Sequence, residues 1–299
     1  MVTALDVLVL PAFDDLPGVP GEAEPWREAY EFTEALSVPG LQESLLVSDS
    51  GLGLVPTGIG KTAAATTVTA LFASDGIDLE DALVLSVGVA GAPPALPVGS
   101  VVIAETIVDW DDKCRFDPED RQAQPDDALA VNPYTEGDGV FDLNDDLVTR
   151  ALDRAEECRL VQPGQENGPS VGPDTEANSP AQTDTEANPP AVTTGTNLCG
   201  DELWHGKRLA EQAQWRCRQH DVSPYRVTEM EDAGTARALE RFDALERYLS
   251  IRGVSNHDRP VDGKSARESF FDPTFEDGFE AGLQNAVRVG QRLVDEEVR

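Results

Sequence analysis

The chain has 299 residues and 40% hydrophobic content, enough for one large core or two modest ones. Its formal net charge is -33, its pI is near 4.2, and its lysines are only four: Lys61, Lys113, Lys207 and Lys264. Negative charge of that size, spread along the chain, excludes nucleic acid and anionic lipid as partners. It fits a surface suited to concentrated salt, where the Debye length shrinks to about 3 Å at 1 M.

The amino terminus, MVTALDVLVLPAF, has no basic flank and runs into Asp14-Asp15, so Leu5–Leu10 reads as a first core strand and not as a signal peptide. Ala29–Leu36 reads as a helix. Leu52–Pro56 is a strand, followed by a Thr57–Gly60 turn that opens a helix over Lys61–Ala73. Ala82–Val87 is a strand that ends in Gly88-Val89-Ala90-Gly91-Ala92, and Ser100–Glu105 is another. Phe141–Cys158 and Leu198–His220 look helical. The carboxyl end, Phe275–Val298, is a long amphipathic helix with Phe279, Leu283, Ala286, Val287, Gly290 and Leu293 on one side. Strands alternating with helices across Gly-rich turns specify an α/β sheet covered on both faces, a single three-layer domain. Val161–Asn197 stands apart: it has no aromatic residue, is dense in Pro, Gly, Thr and Asn, and carries the repeat DTEAN at 174–178 and 184–188. Such a composition offers too little apolar surface to offset its ordering entropy, and the segment reads as a disordered surface insertion, with a linker between two domains as the plain alternative. No apolar stretch approaches the ~20 residues that cross a bilayer, so no membrane insertion is expected and a cytoplasmic location follows. The cysteines Cys114, Cys158, Cys199 and Cys217 have neither CxxC spacing nor a histidine cluster nearby, so no metal centre is expected.

Four places can carry chemistry. Val55–Thr62, VPTGIGKT, imitates a phosphate-binding P-loop, but Val55 stands where that motif needs glycine. Gly58 and Gly60 still make a tight turn whose helix-opening amides favour an anion. Gly88–Gly91 lets backbone approach a ligand at a sheet edge. Glu229-Met230-Glu231, at a strand-to-helix junction, sets carboxylates beside a soft thioether. A carboxylate there can accept from both hydroxyls of a vicinal diol such as ribose, with Met230 as an apolar floor. In a chain this acidic, a solvated helical glutamate is the plain alternative. Ser255-Asn256-His257-Asp258 offers a side-chain amide at a strand end, or an ordinary polar turn before Pro260. Trp204 is placed either to stack on a base or to pack in the core.

The order of these motifs resembles the nucleoside phosphorylase and nucleosidase superfamily, in which a Met-Glu pair holds ribose and a later Ser-Asp or Ser-Asn site addresses the purine. Gly21–Trp26, Phe32–Gly40 (FTEALSVPG), Gly88–Ala92, Phe141–Asp145 (FDLND) and Ser255–Pro260 (SNHDRP) resemble the subgroup called purine nucleoside permeases. The resemblance implies a nucleoside phosphorylase-like fold with a mixed central sheet, a homo-oligomer, and a small-molecule nucleoside as ligand. It implies N-glycosidic cleavage with Glu231, Asn256 and Asp258 as catalytic residues. Glu229, Met230, Gly88, Val89, Ala90, Gly91, Trp204 and Ser255 would bind substrate, and Glu22 or Glu24 would activate a water. No cofactor is implied. Phosphorylases carry an arginine where this chain has Ser86, so inorganic phosphate and water both stay open as nucleophile. Asn256, where many relatives have an aspartic acid, can hydrogen-bond a purine but cannot protonate it. The non-enzymatic alternative is a soluble nucleoside-binding protein linked to uptake.

Overall fold

The computed structural model describes residues 2–15, 19–116, 129–135, 137, 139–164, 188–261 and 263–298. Strand β1 (Thr3–Ala4) leads into β2 (Val7–Leu10), whose four residues VLVL are all buried. An uninterrupted apolar run suits a strand covered on both faces. Helix α1 (Glu24–Ala29) has proline in its first turn and buries Trp26. Strands β3 (Glu34–Leu36), β4 (Leu45–Val47) and β5 (Leu52–Leu54) follow, then α2 (Lys61–Phe72) and the short β6 (Ile77–Asp78), which pairs with β1. The expected helix over Ala29–Leu36 is therefore corrected. Tyr30, Phe32 and Thr33 favour extended backbone, and Glu34–Leu36 pairs antiparallel with β4.

The two long strands β7 (Leu83–Ala92) and β8 (Val101–Asp109) frame the centre. β9 (Lys113–Arg115) and β10 (Leu129–Val131) pair antiparallel as a small ribbon, and β11 (Val140–Asp142) lies antiparallel beside β8. After α3 (Asp145–Ala155), capped by the Asn144 side chain, come β12 (Val192–Cys199), α4 (Lys207–Gln219) and β13 (Tyr225–Glu229). Helix α5 (Asp232–Arg241), β14 (Tyr248–His257), α6 (Ala266–Phe270) and α7 (Phe275–Glu297) complete the chain. The sheet runs β11-β8-β12-β13-β7-β2-β5-β4-β3. β14 pairs parallel with β7 and antiparallel with β8, so β8, β12, β13, β7 and β14 close into a ring. Parallel and antiparallel pairs coexist, as the expected mixed sheet requires.

Two further expectations are corrected. Val192–Asn197 is not insertion but the start of a central strand, and Asn197 is fully buried. The small polar residues TTGTN look like linker, yet β12 pairs on both sides, with β8 and β13, and the Asn197 Nδ2 donates to Asp232 and Ser250. Residues 165–187, which hold most of the expected insertion, lie outside the described residues. Leu198–Cys199 ends the same strand, so helix α4 begins only at Lys207. The face of α7 is as expected: Phe279, Leu283, Ala286, Val287, Gly290 and Leu293 are all buried. Contact between α7 and β14 is closer than a side chain allows. A Cβ on Gly253 would meet the Gly282 carbonyl oxygen at 1.9 Å, and one on Gly278 the Ser255 carbonyl oxygen at 2.4 Å. Backbone against backbone, the helix fixes where Ser255 and Asn256 leave the sheet.

Candidate active site

A cavity of about 270 Å³ opens where β7, β13 and β14 end, the edge at which α/β sheets hold ligands. Its walls bring together Glu22, Val89, Ala90, Gly91, Trp204, Glu229, Met230, Glu231, Ser255, Asn256 and Asp258. Phe13, Ile59, Leu203, Phe270, Phe275 and Phe279 make one side apolar. Glu24, the other expected water activator, is exposed in the first turn of α1 and stays outside the cavity. A proline at the next position starts the helix there and turns Glu24 to solvent.

Glu22 is buried although it sits in a loop. Its Oε2 accepts from the Ala12 N–H at 2.7 Å and its Oε1 from the Val89 N–H at 2.8 Å, so the loop after β2 and strand β7 hold one carboxylate oxygen each. Burial pushes its pKa up, against the pull of Arg252 and the two amides. Glu231 is equally enclosed, and its Oε1 accepts from the Gly60 N–H at 3.0 Å. Burial pushes its carboxyl up to about 7, with Glu22 and Asp232 adding to the rise and Arg252 opposing it. Glu229 Oε2 accepts from the amides of Glu231 and Asp232 at 2.8 and 3.0 Å, which caps the start of α5. Its Oε1 is buried with no hydrogen-bond partner among the described residues, and Glu229 lines the cavity. Burial and neighbouring Asp232 raise Glu229 to about 8.

The turn that mimics a P-loop is occupied by the chain's own carboxylates. Gly60 N–H goes to Glu231, Lys61 N–H to Asp201 at 2.7 Å, and the Lys61 ammonium to Asp109 and Asp111 at 2.7 and 3.0 Å. The expected anion-favouring amides are thus spent on the chain's own carboxylates, Gly60 holding Glu231 and Lys61 holding Asp201.

On the base side, Asn256 Oδ1 accepts from the Ser255 hydroxyl at 2.8 Å, and its Nδ2 donates to the His257 carbonyl at 2.9 Å. Two hydrogens on Nδ2 leave one for a ligand. Trp204 is buried and meets Tyr225 edge-on at 6.3 Å while lining the cavity, so core packing and ligand contact belong to the same ring. Asp258, expected to supply a proton, is instead engaged by its neighbours. It accepts from Tyr225 at 2.6 Å and from Arg259 at 2.5 and 3.0 Å.

Residues that sequence reasoning missed hold the site together. Arg252, in the middle of β14, is buried and reaches Glu229 at 3.1 Å, Glu231 at 3.8 Å, the Ser86 hydroxyl at 2.6 Å, and Asp232. One guanidinium therefore faces Glu22, Glu229, Glu231 and Asp232. A Cβ on Gly88 would lie 2.5 and 2.7 Å from the Glu22 oxygens and 2.8 Å from Arg252 Nη1. Glu22 and Arg252 thus converge over Gly88 in a niche where only a hydrogen leaves them room, and of the three residues Glu22 alone lines the cavity. The available signal was an arginine in YLSIRGV, an otherwise apolar strand: a charge buried there must have partners.

Residues 4–299 match the family described as purine nucleoside permease. The chain belongs to that family. A purine nucleoside permease of Candida albicans is 26% identical over 306 residues, spanning 93% of this chain and 72% of that one. Among solved structures, a futalosine hydrolase of Helicobacter pylori is 18% identical with a TM-score of 0.64, covering 99% of both chains. A 5'-methylthioadenosine/S-adenosylhomocysteine nucleosidase of Neisseria meningitidis is 20% identical with a TM-score of 0.63, covering 99% of this chain and 100% of that one. These likenesses establish the fold that the resemblance implied. Among the described residues no helix is long and apolar enough to cross a membrane.

Proposed function

We propose that this protein hydrolyses the N-glycosidic bond of purine nucleosides, with water as the nucleophile. The observation that carries the reading is the convergence of Glu22 and Arg252 over Gly88, beside Glu231, with Glu22, Glu231 and Asn256 lining one cavity. Glu231 takes the ribose hydroxyls over Met230. Loss of the glycosidic bond builds positive charge on the sugar, which the carboxylate stabilises more in the transition state than in the bound substrate. Glu22, its pKa raised towards the working pH, takes a proton from the water whose oxygen bonds to C1′. The C1′–N9 bond breaks and its electron pair leaves with the purine, which accepts a hydrogen bond from Asn256 Nδ2 and draws its proton from solvent. Departure as an anion favours 6-oxopurines. The family name and the names of the hydrolase and nucleosidase that share the fold support nucleoside as substrate.

Water is favoured over phosphate on electrostatic grounds. Among the described residues the one cation against the niche is already shared among four carboxylates, and phosphate would add negative charge to that surplus. A second reading, binding without turnover in nucleoside uptake, draws on Asn256, which has no acidic proton to give, and on Asp258, which is tied to Tyr225 and Arg259. The test is incubation with inosine, guanosine and adenosine in concentrated potassium chloride, with and without phosphate, resolving base and sugar by chromatography. Free base and ribose without phosphate are expected. Base that appears only with phosphate overturns the choice of water, and tight binding without product leaves the uptake reading.

A further inference from the structure

Asp232 is fully buried at the start of α5, outside the cavity wall, and the reaction as described leaves it without a task. It accepts from the Ser86 hydroxyl at 2.7 Å, Asn197 Nδ2 at 2.7 Å, the Tyr248 hydroxyl at 2.8 Å, the Ser250 hydroxyl, and both Nε (3.1 Å) and Nη2 of Arg252. Those donors come from β7, β12 and β14. Together they fill the lone-pair positions of an ionised carboxylate, so Asp232 is an immobile negative charge. Burial pushes its pKa up, but Arg252 and the bonds from Arg252, Ser250 and Ser86 outweigh this and hold it below the ordinary carboxylate range.

An arginine recognises an oxyanion by presenting two parallel N–H groups. Arg252 presents no such fork. Its Nε and Nη2 are committed to Asp232, with Nη2 also donating to Ser86 and within 3.1 Å of Glu229, and Nη1 alone reaches the niche over Gly88. We propose that Asp232 is the positioning residue that excludes phosphate, by locking Arg252 into an internal ion pair so that the niche admits water alone. The proposal rests on the hydrolytic reading above. It also accounts for Ser86, whose hydroxyl bridges Arg252 and Asp232 where an arginine would compete with that pair.

The test compares wild type, Asp232→Asn and Asp232→Glu in nucleoside cleavage, with phosphate and unreactive sulfate raised through the millimolar range. Wild type and Asp232→Glu, which keeps the charge, should ignore both anions. In Asp232→Asn the uncancelled guanidinium should bind them on the order of tenfold more tightly or better, seen as competition by sulfate and as inhibition or ribose 1-phosphate with phosphate. The acid limb of the Asp232→Asn pH profile should also move to lower pH, because Glu229 and Glu231 lose a neighbouring negative charge. Glu22, Arg252, Tyr248 and Cys199 remain around them unchanged. A folded Asp232→Asn that answers anions as wild type does, or whose acid limb stays put, overturns the assignment. If that variant does not fold, wild type still decides: phosphate that competes with nucleoside overturns the proposal, and phosphate that leaves nucleoside binding unchanged supports it. Ribose 1-phosphate from wild type would instead mean that the hydrolytic reading itself is wrong.

Discussion

Gly88→Ala puts a single methyl group into the niche where the nucleophile is placed. Gly88 lies in β7 directly across from Arg252 of β14. The new carbon would sit 2.5 Å from Glu22 Oε1, whereas ordinary contact begins near 3.4 Å, so the carboxylate must withdraw by 0.9 Å (3.4 − 2.5). It has nowhere to go without breaking its bond to the Ala12 or the Val89 amide. Losing one bond to a charged group costs about 1.5–3 kcal/mol. The strand backbone itself tolerates alanine, so the stability loss should stay at about 1–3 kcal/mol, the range for overpacking. Catalysis should suffer more, because a displacement of about 1 Å in a reacting group lowers the rate on the order of 100-fold. Steady-state kinetics on inosine should show the loss in kcat. KM should change less, since Met230, Glu231 and Asn256 are untouched, and a urea titration measures the stability term separately. Wild-type kcat in a variant of wild-type stability would refute the placement of the nucleophile over Gly88.

Glu231→Gln keeps the shape but removes the charge that faces the developing cation; kcat should fall by roughly 100- to 1,000-fold, the size of one lost electrostatic contact in a site, and near-normal turnover rules out its role. Glu229 and Glu231 have folded pKa values of about 8 and about 7, above their ordinary 4.5, so the folded state binds their protons more tightly than the unfolded one. Their contribution to stability is full below about 4.5 and is lost as pH rises through 7 and 8. Glu229→Gln should therefore flatten the fall of the urea midpoint over that window, and an unchanged slope counts against the buried, protonated Glu229. Asn256→Asp should shift preference from 6-oxo towards 6-aminopurines by supplying a proton, and equal selectivity removes Asn256 from the base site. Deleting 161–197 should abolish cooperative unfolding, because it takes out Thr196 and Asn197 from the core, whereas a soluble, cooperatively folding product would contradict the strand assignment.

The fold was legible where the chain writes one period over many residues. The stripe of α7 and the apolar run VLVL each had a single reading. β12 was not legible, because a strand inside a closed ring can be built from TTGTN when its neighbours supply partners: Asn197 is held by Asp232 and Ser250, which lie far off in sequence. Composition sees only that such residues bury little apolar surface. The same limit hid Asp258, which stands beside the base-side residues in sequence yet is tied to Tyr225 and Arg259.

Glu22, Met230, Glu231 and Asn256 were each singled out from a short motif and meet in one cavity, but the charge around them was not legible. Ser86 looks like the loss of a cation when β7 is read alone. In the sheet, β14 lies parallel to β7 with Ser250 opposite Ser86 and Arg252 opposite Gly88, and the guanidinium donates to the Ser86 hydroxyl at 2.6 Å. A positive charge thus stands beside Ser86 after all, supplied by the adjacent strand. It arrives already bound to Asp232, the residue that follows the Met-Glu pair. Whether that charge serves an incoming anion or an internal carboxylate is decided by one side chain at the start of α5. For that reason the choice between phosphate and water is better sought at Asp232 than at Ser86.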